Sequence, residues 1–167
     1  MQPNSIMFER VWAMPNRYTF SIPVVKRFLM DEVGCEDWKD WADPFAGLNS
    51  PARVTNDMDC TIDTVYHLDA LTFLKMTAWY RGVLFDPPYS AAMAGGKYAN
   101  PAAWTKYILQ CKDEAARVIR PGGKAICFGW NSNGLGMKRG FKLHRGLIIA
   151  HGGSHQHDTI VTVEVRE

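Results

Sequence analysis

The sequence predicts an α/β fold: one mostly parallel sheet of seven strands ending in an antiparallel hairpin, with shortened early helices. Three observations carry that prediction. Short apolar bursts alternate with segments of helical spacing, the pattern of strand–helix–strand units. The last two bursts are joined only by the short link His151 to Asp158, so they pair antiparallel. Four of the bursts run into an aspartate (Asp43, Asp57, Asp69 and Asp86), which gathers carboxylates at strand ends.

Taken in order, Pro23 to Val33 places Val24, Val25, Phe28, Leu29 and Val33 on one helical face, with Pro23 suited to a first turn and Gly34 to a stop. Trp38 to Asp43 reads as a short strand running into Asp43-Pro44-Phe45-Ala46-Gly47. Arg53 to Asn56 is a second strand, ending at Asp57, and Thr64 to His67 a third, ending at Asp69. Ala70 to Tyr80 reads as a helix and Gly82 to Phe85 as a buried strand ending at Asp86. Ser90 to Asn100, rich in Ala and Gly, is predicted to be a mobile loop. Pro101 to Ile119 is the longest helical pattern, opened by Asn100-Pro101 and closed by Pro121-Gly122-Gly123. Lys124 to Trp130 is a strand, Asn131 to Gly140 a Gly/Asn-rich loop, and Phe141 to Ala150 and Thr159 to Val165 the closing strands. The connection from Asp43 to Asp57 is too short for a full crossover helix, which usually takes about a dozen residues or more.

A single domain spanning 1–167 accounts for the length, and 47% hydrophobic residues supply a core. With 19 basic against 17 acidic residues the net charge is only +2, so a strongly basic nucleic-acid protein is excluded and any nucleic-acid contact must be local. Cys35, Cys60, Cys111 and Cys127 form no C-x-x-C pair, and their scatter predicts reduced, mostly buried thiols in a cytoplasmic protein. No apolar run follows a basic start in Met1 to Arg10, so no signal peptide is expected, and no stretch is long enough to predict a membrane span.

Carboxylates crowded on one rim repel one another, so a ligand rich in hydroxyl and amino donors gives them a purpose. In open α/β sheets, ligands bind at the carboxyl ends of the strands. Asp57 or Asp69 taken alone is better explained by a helix cap or a turn than by a ligand contact. Asp86-Pro87-Pro88-Tyr89 is sharper. Two prolines fix the backbone so that the Asp86 carboxylate and the Pro87 carbonyl present two acceptors at a set separation, matching the two N–H donors of an exocyclic amine. Tyr89 offers a face for stacking a base drawn out of its helix.

Val83-Leu84-Phe85-Asp86-Pro87-Pro88-Tyr89 resembles motif IV of the class I S-adenosylmethionine-dependent amino-methyltransferases. Asp43-Pro44-Phe45-Ala46-Gly47 resembles their cofactor motif I, Asn56-Asp57 motif II, His67-Leu68-Asp69-Ala70 motif III, and Arg17 to Leu29 the segment that precedes motif I. The resemblance spans nearly the whole chain and includes no target-recognition domain, as in the compact forms carried by phages. It implies a Rossmann-like sheet, S-adenosylmethionine as cofactor, no metal, and methylation of adenine-N6 in DNA in the cytoplasm of a bacterial or phage-infected cell. It implies that Asp43, Pro44 and Ala46 bind the cofactor together with Phe45 and Gly47, which line its methionine end, and that Phe20 closes over the amino-acid end. Asp57 takes the ribose, Asp69 with Ala70 the adenine, and Asp86 and Pro87 the target amine. One departure stands out: the second glycine of motif I is replaced by Leu48-Asn49-Ser50. Asn tolerates left-handed backbone angles, so the turn can survive.

Ser90, Lys97, Trp130, Lys138 and Arg139 are candidate substrate contacts, the last three because they come after the fifth strand. His151, His155 and His157 match no common metal spacing and read as polar turn residues or phosphate contacts. Two rival readings remain. An RNA methyltransferase of the guanine-N2 or adenine-N6 kind shares the tetrapeptide, though the guanine-N2 family's motif I reads D-L-F. A non-catalytic cofactor- or nucleic-acid-binding module keeps the fold without turnover. The target is expected to be relaxed, at most a few bases, unless a second copy of the chain or a separate partner supplies recognition.

Overall fold

A computed structural model of the chain describes residues 6–34, 37–77, 79–94, 100–154 and 157–167. Seven strands form one sheet: β1 (Met7–Trp12), β2 (Trp41–Asp43), β3 (Val54–Thr55), β4 (Tyr80–Phe85), β5 (Ile119–Gly129), β6 (Phe141–Ala150) and β7 (Thr159–Arg166). Their spatial order is β1-β6-β7-β5-β4-β2-β3. Only β7 runs against its neighbours, pairing antiparallel with β5 and β6. The predicted architecture is therefore present, a mostly parallel sheet whose last two strands form an antiparallel hairpin, with β7 inserted between β5 and β6.

Strand β4 shows why the sheet is covered on both sides. Val83 and Phe85 point to the face packed by α2 (Ala70–Met76) and α3 (Pro101–Val118), among Phe73, Leu74, Cys111 and Ala115. Leu84 points to the other face, where α1 (Pro23–Val33) brings Val25, Phe28 and Leu29 against Ile126, Leu147 and Val161. This two-sided burial gives β4 its uninterrupted apolar run. Helix α3 opens on Asn100, whose side chain accepts from the Ala103 N–H at 2.9 Å, with Pro101 in the first turn.

Three sequence expectations need correction. The seventh strand is not Thr64 to His67, where the chain makes only an isolated parallel bridge, Tyr66 to Asn56. It is β1 at the opposite edge, pairing parallel with β6 from Met7↔Arg145 to Trp12↔Ala150. An edge strand with one partner leaves most of its side chains exposed, so its sequence lacks a buried strand's apolar run. Helix α2 ends at Met76 rather than Tyr80: Thr77 is extended, Trp79 takes a left-handed φ of 66°, and β4 starts at Tyr80. Residues 37–40 form a 3-10 turn, so β2 begins only at Trp41.

The short early connections are as predicted. No helix lies between β2 and β3 or between β3 and α2. Cys111 and Cys127 are buried and Cys60 is exposed; Cys35 lies outside the described residues. No helix among the described residues is long and apolar enough to cross a membrane.

Candidate active site and cofactor cleft

Strands β1 to β6 all point one way, so their carboxyl ends share a rim, and a cleft of about 640 Å³ opens there. The residues just beyond each strand end line it. Pro15 to Phe20 come after β1, Pro44 to Leu48 after β2, Asp57 and Met58 after β3, and Asp86 to Tyr89 after β4. Trp130 lies beyond β5, His151 beyond β6, and Thr159 opens β7. Two segments far apart in sequence, the motif I-like turn and the Asp86 tetrapeptide, thus line one concavity.

With no helix after β2, side chains hold that turn. Asn56 is fully buried and ties three loops together. Its Nδ2 donates to the carbonyls of Pro44 (3.1 Å) and Leu68 (3.0 Å), and its Oδ1 accepts from the Leu68 N–H at 2.9 Å. Its backbone carbonyl accepts from the Ala46 N–H at 2.9 Å. Asp57 Oδ2 accepts from the Gly47 N–H at 2.9 Å and Oδ1 from the Asp59 N–H at 2.8 Å. Asn49 takes a left-handed φ of 66°, so it fills the conformational role of the missing glycine, and its amide donates to Ser21 Oγ at 2.8 Å.

The four strand-end aspartates have different surroundings. Asp43 is fully buried beneath the cleft rather than lining it, accepting from the Phe45 N–H (3.0 Å) and the Ser50 hydroxyl (2.6 Å). Burial pushes its carboxyl up to about 7; the two hydrogen bonds pull it back, and the charges of Asp86 and Asp57 add to the rise. Asp69 caps α2 through the N–H groups of Leu71 (3.1 Å) and Thr72 (3.3 Å) and accepts from the Tyr107 hydroxyl at 2.9 Å. Its neighbours Leu68 and Ala70 line the cleft, and it does not. Asp57 does line it.

Asp86 sits in the cleft. Burial of its carboxyl raises it to about 6, against hydrogen bonds from Thr19 and Tyr89 that favour the charged form. The Tyr89 hydroxyl donates to Asp86 Oδ1 at 3.2 Å, and its ring packs against Trp130 with centroids 5.3 Å apart. Burial and the Asp86 charge push the Tyr89 phenol upward, so it stays protonated. Phe20 is buried edge-on to Phe128, and Phe45 edge-on to Phe85, giving the cleft rigid apolar walls.

The other candidates divide. Trp130 lines the cleft, and the His157 ring lies 4.4 Å from it. Ser90 turns its hydroxyl to the Met93 N–H at 3.2 Å. Lys97 and His155 lie outside the described residues. Lys138 and Arg139 are corrected. They precede β6, whose first residues pair through β7 with the start of β5, so they occupy the opposite end of the sheet from Asp86. Arg139 is tied there to Asp113 at 2.7 Å. The loop after β5 descends the sheet instead of staying on the rim. Among the described residues no cluster of three His, Cys, Asp or Glu is placed to hold a metal.

Sequence reasoning missed Thr19, Asn56 and Thr159, and treated His151 as a turn residue. His151 is buried, with Nδ1 2.9 Å from the Ala13 carbonyl and Nε2 2.9 Å from Thr159 Oγ1. Nothing in their local sequence marks them, because the partners come from different strand ends.

No protein-family model matches the chain, and no curated protein sequence matches it. Solved structures do. TrmN from Thermus thermophilus matches with a TM-score of 0.58 at 15% identity, over 87% of this chain and 49% of that one. A methyltransferase homolog from Pyrococcus horikoshii matches with a TM-score of 0.54 at 9% identity, over 76% and 61% respectively. The chain therefore spans about half to three-fifths of the length of these structures, and it has the Rossmann-like fold of the class I methyltransferases.

Proposed function

We propose that the chain transfers a methyl group from S-adenosylmethionine to the exocyclic amine of a nucleobase, with adenine-N6 in DNA as the acceptor. One observation carries the reading: the Asp86-Pro87-Pro88-Tyr89 segment faces the same cleft as the Pro44–Leu48 turn. The cleft volume falls in the range of small-molecule sites. The position a Cβ would take on Gly47 has nothing within 4 Å, so the turn leaves room beside an acidic partner, Asp57. The residues present fit the cofactor.

In this reading Phe20, Phe45, Pro44, Ala46 and Gly47 hold its methionine end. Asp57, whose two oxygens each retain a lone pair beyond the N–H they accept, holds the ribose. Leu68 and Ala70 form the adenine wall; Asp69, committed to the α2 cap and Tyr107, supports that wall from behind. The cofactor supplies a methyl group on a sulfonium centre. Asp86 and the Pro87 carbonyl hold the acceptor amine, and the Asp86 carboxylate favours the positive charge that develops on nitrogen. Much of the acceleration comes from fixing the reactants in line. Tyr89 and Trp130 provide the aromatic surface for the base. Asp at the first position of the tetrapeptide, together with Asp43-Pro44-Phe45, favours adenine-N6, and the setting is the cytoplasm of a bacterial or phage-infected cell.

The test is mass spectrometry of nucleosides from DNA and from RNA after incubation with S-adenosylmethionine. N6-methyladenine in DNA, absent with Asp86→Ala, is expected. Product only in RNA reassigns the acceptor. No product in either, with no cofactor binding by calorimetry, overturns the reading.

A further inference from the structure

Alternation along β1 divides its side chains between the two faces of the sheet. Val11 and Glu9 turn to the α1 face, where Val11 packs on the core and Glu9 pairs with Arg145. Phe8, Arg10 and Trp12 share the other face. All three are exposed, Phe8 by 47% and Trp12 by 65%. Their partners in β6 are Gly146, Ile148 and Ala150. A Cβ on Gly146 would stand inside the Phe8 ring, so that ring lies flat on the sheet with its other side to solvent. Trp12 sits beside two small residues, Ala150 and Gly152, with its Nε1 3.3 Å from where a Gly152 Cβ would be.

The row therefore reads ring, guanidinium, ring, with Cα atoms about 7 Å apart at each step. It leads to the cleft. Beyond Trp12 the chain reaches the rim, where the Arg17 guanidinium stands 4.7 Å over the Tyr18 ring and both residues line the cleft. From Met7 to Phe20 the sequence holds one acidic residue, Glu9, which is turned to the α1 face and neutralised by Arg145. The track is thus aromatic and cationic throughout. Unpaired bases fit it: the rings stack on bases and the guanidiniums meet phosphates. A second copy pairing along the β1 edge fits poorly. Two-fold antiparallel pairing sets one residue opposite itself, and centring on the middle of β1 opposes Glu9 to Glu9 or Arg10 to Arg10.

We propose that Phe8, Arg10 and Trp12 form a stacking platform for single-stranded nucleic acid, which leads the strand flanking the acceptor base along β1 to the cleft mouth at Arg17 and Tyr18. The link to the cleft rests on the proposed function; binding by the platform does not. Stacking accepts any base, so the platform adds affinity without adding a target sequence.

The test is fluorescence anisotropy of a labelled oligothymidylate, which contains no acceptor adenine, with the full chain. Trp12→Ala is expected to weaken binding by about tenfold, whereas Trp12→Phe keeps a ring and should bind like the unaltered protein. Arg10→Gln should weaken binding and flatten its salt dependence. Oligouridylate run beside it distinguishes a DNA strand from an RNA strand, and the platform stands with either. Binding of neither, equal affinity for the Trp12→Ala and unaltered proteins, or a duplex bound as tightly as the single strand overturns the platform. So does sedimentation of the unaltered protein as a dimer that Trp12→Ala splits without loss of oligonucleotide affinity, which would give the face to a second copy. Tight oligothymidylate binding without methyl transfer to any nucleic acid upholds the platform and refutes the proposed function instead.

Discussion

Asp43→Asn isolates the electrostatic cost of the turn that shapes the cofactor cleft. Asp43 is fully buried, and burial with the nearby charges of Asp86 and Asp57 holds its carboxyl at about 7 instead of the ordinary 3.8. The folded state therefore binds this proton more tightly than the unfolded chain. The stability it contributes is fully present below about pH 3.8 and is lost as pH rises through about 7. The interval of roughly three pH units, at about 1.36 kcal/mol each, puts the loss on the order of 4 kcal/mol, an upper figure because the site can relax. Asparagine mimics the protonated form. Its Oδ1 accepts from the Phe45 N–H, and its Nδ2 donates to Ser50 Oγ in place of the hydroxyl donation to Asp43. Urea unfolding of both proteins between pH 4 and pH 8.5 is the assay. Near pH 4 the two should match, and at pH 8 the variant should be more stable by about 1–4 kcal/mol with an unchanged m-value. Parallel stability curves across that range, or a variant weaker at pH 8, would refute the argument that a charged Asp43 is a burden the turn carries.

Four further outcomes are expected. Methyl transfer should fall as pH drops through about 6, because a protonated Asp86 loses its charge and one acceptor; a kcat/KM profile flat down to pH 5 contradicts this. Asp57→Ala should weaken S-adenosylmethionine binding about ten- to a hundredfold by calorimetry, since it removes a charged contact and the anchor of the Gly47 N–H. Gly82→Ala should destabilise the fold by about 1–3 kcal/mol in chemical denaturation, because the new Cβ would stand 2.5 Å from the buried Trp41 ring. Sequencing of methylated random DNA should show a target of at most a few bases: the loop after β5 leaves the rim, which removes Lys138 and Arg139 from base reading. A single invariant site of five or more bases, made by the chain alone, would count against that.

The sheet was legible because strands buried on both faces leave apolar bursts. Gly82 to Phe85 and Lys124 to Trp130 fall within or close to β4 and β5. Strand β1 was not legible: a single partner leaves most of Met7–Trp12 exposed, and no apolar run results. Thr64 to His67 lies beside β3, but only Tyr66 makes a strand-type bridge there, to Asn56. Sequence showed where Asp43, Asp57, Asp69 and Asp86 fall, yet not which way each carboxylate turns, because their partners lie elsewhere in the chain. Ser50, the Gly47 N–H and Tyr107 decide that, and only Asp57 and Asp86 line the cleft.

That division explains how so short a core keeps its cleft in shape. A crossover helix would supply N–H groups and a rigid start to the turn after β2, and the Asp43 to Asp57 connection has no room for one. The work passes to polar side chains. Asp43 holds the turn from below, Asn56 joins it to the strand beside it and to the approach to α2, and Asp57 fixes the Gly47 N–H from above. Buried polar networks of this kind are costly when half satisfied and rigid when complete. Each of the three Asn56 amide contacts is made, so the turn is held in place even though Gly47 and Asn49 both sit in left-handed backbone conformations. The acidic rim thus has two origins: Asp57 and Asp86 face the cleft, while Asp43 and Asp69 do locally what a longer chain would do with helices.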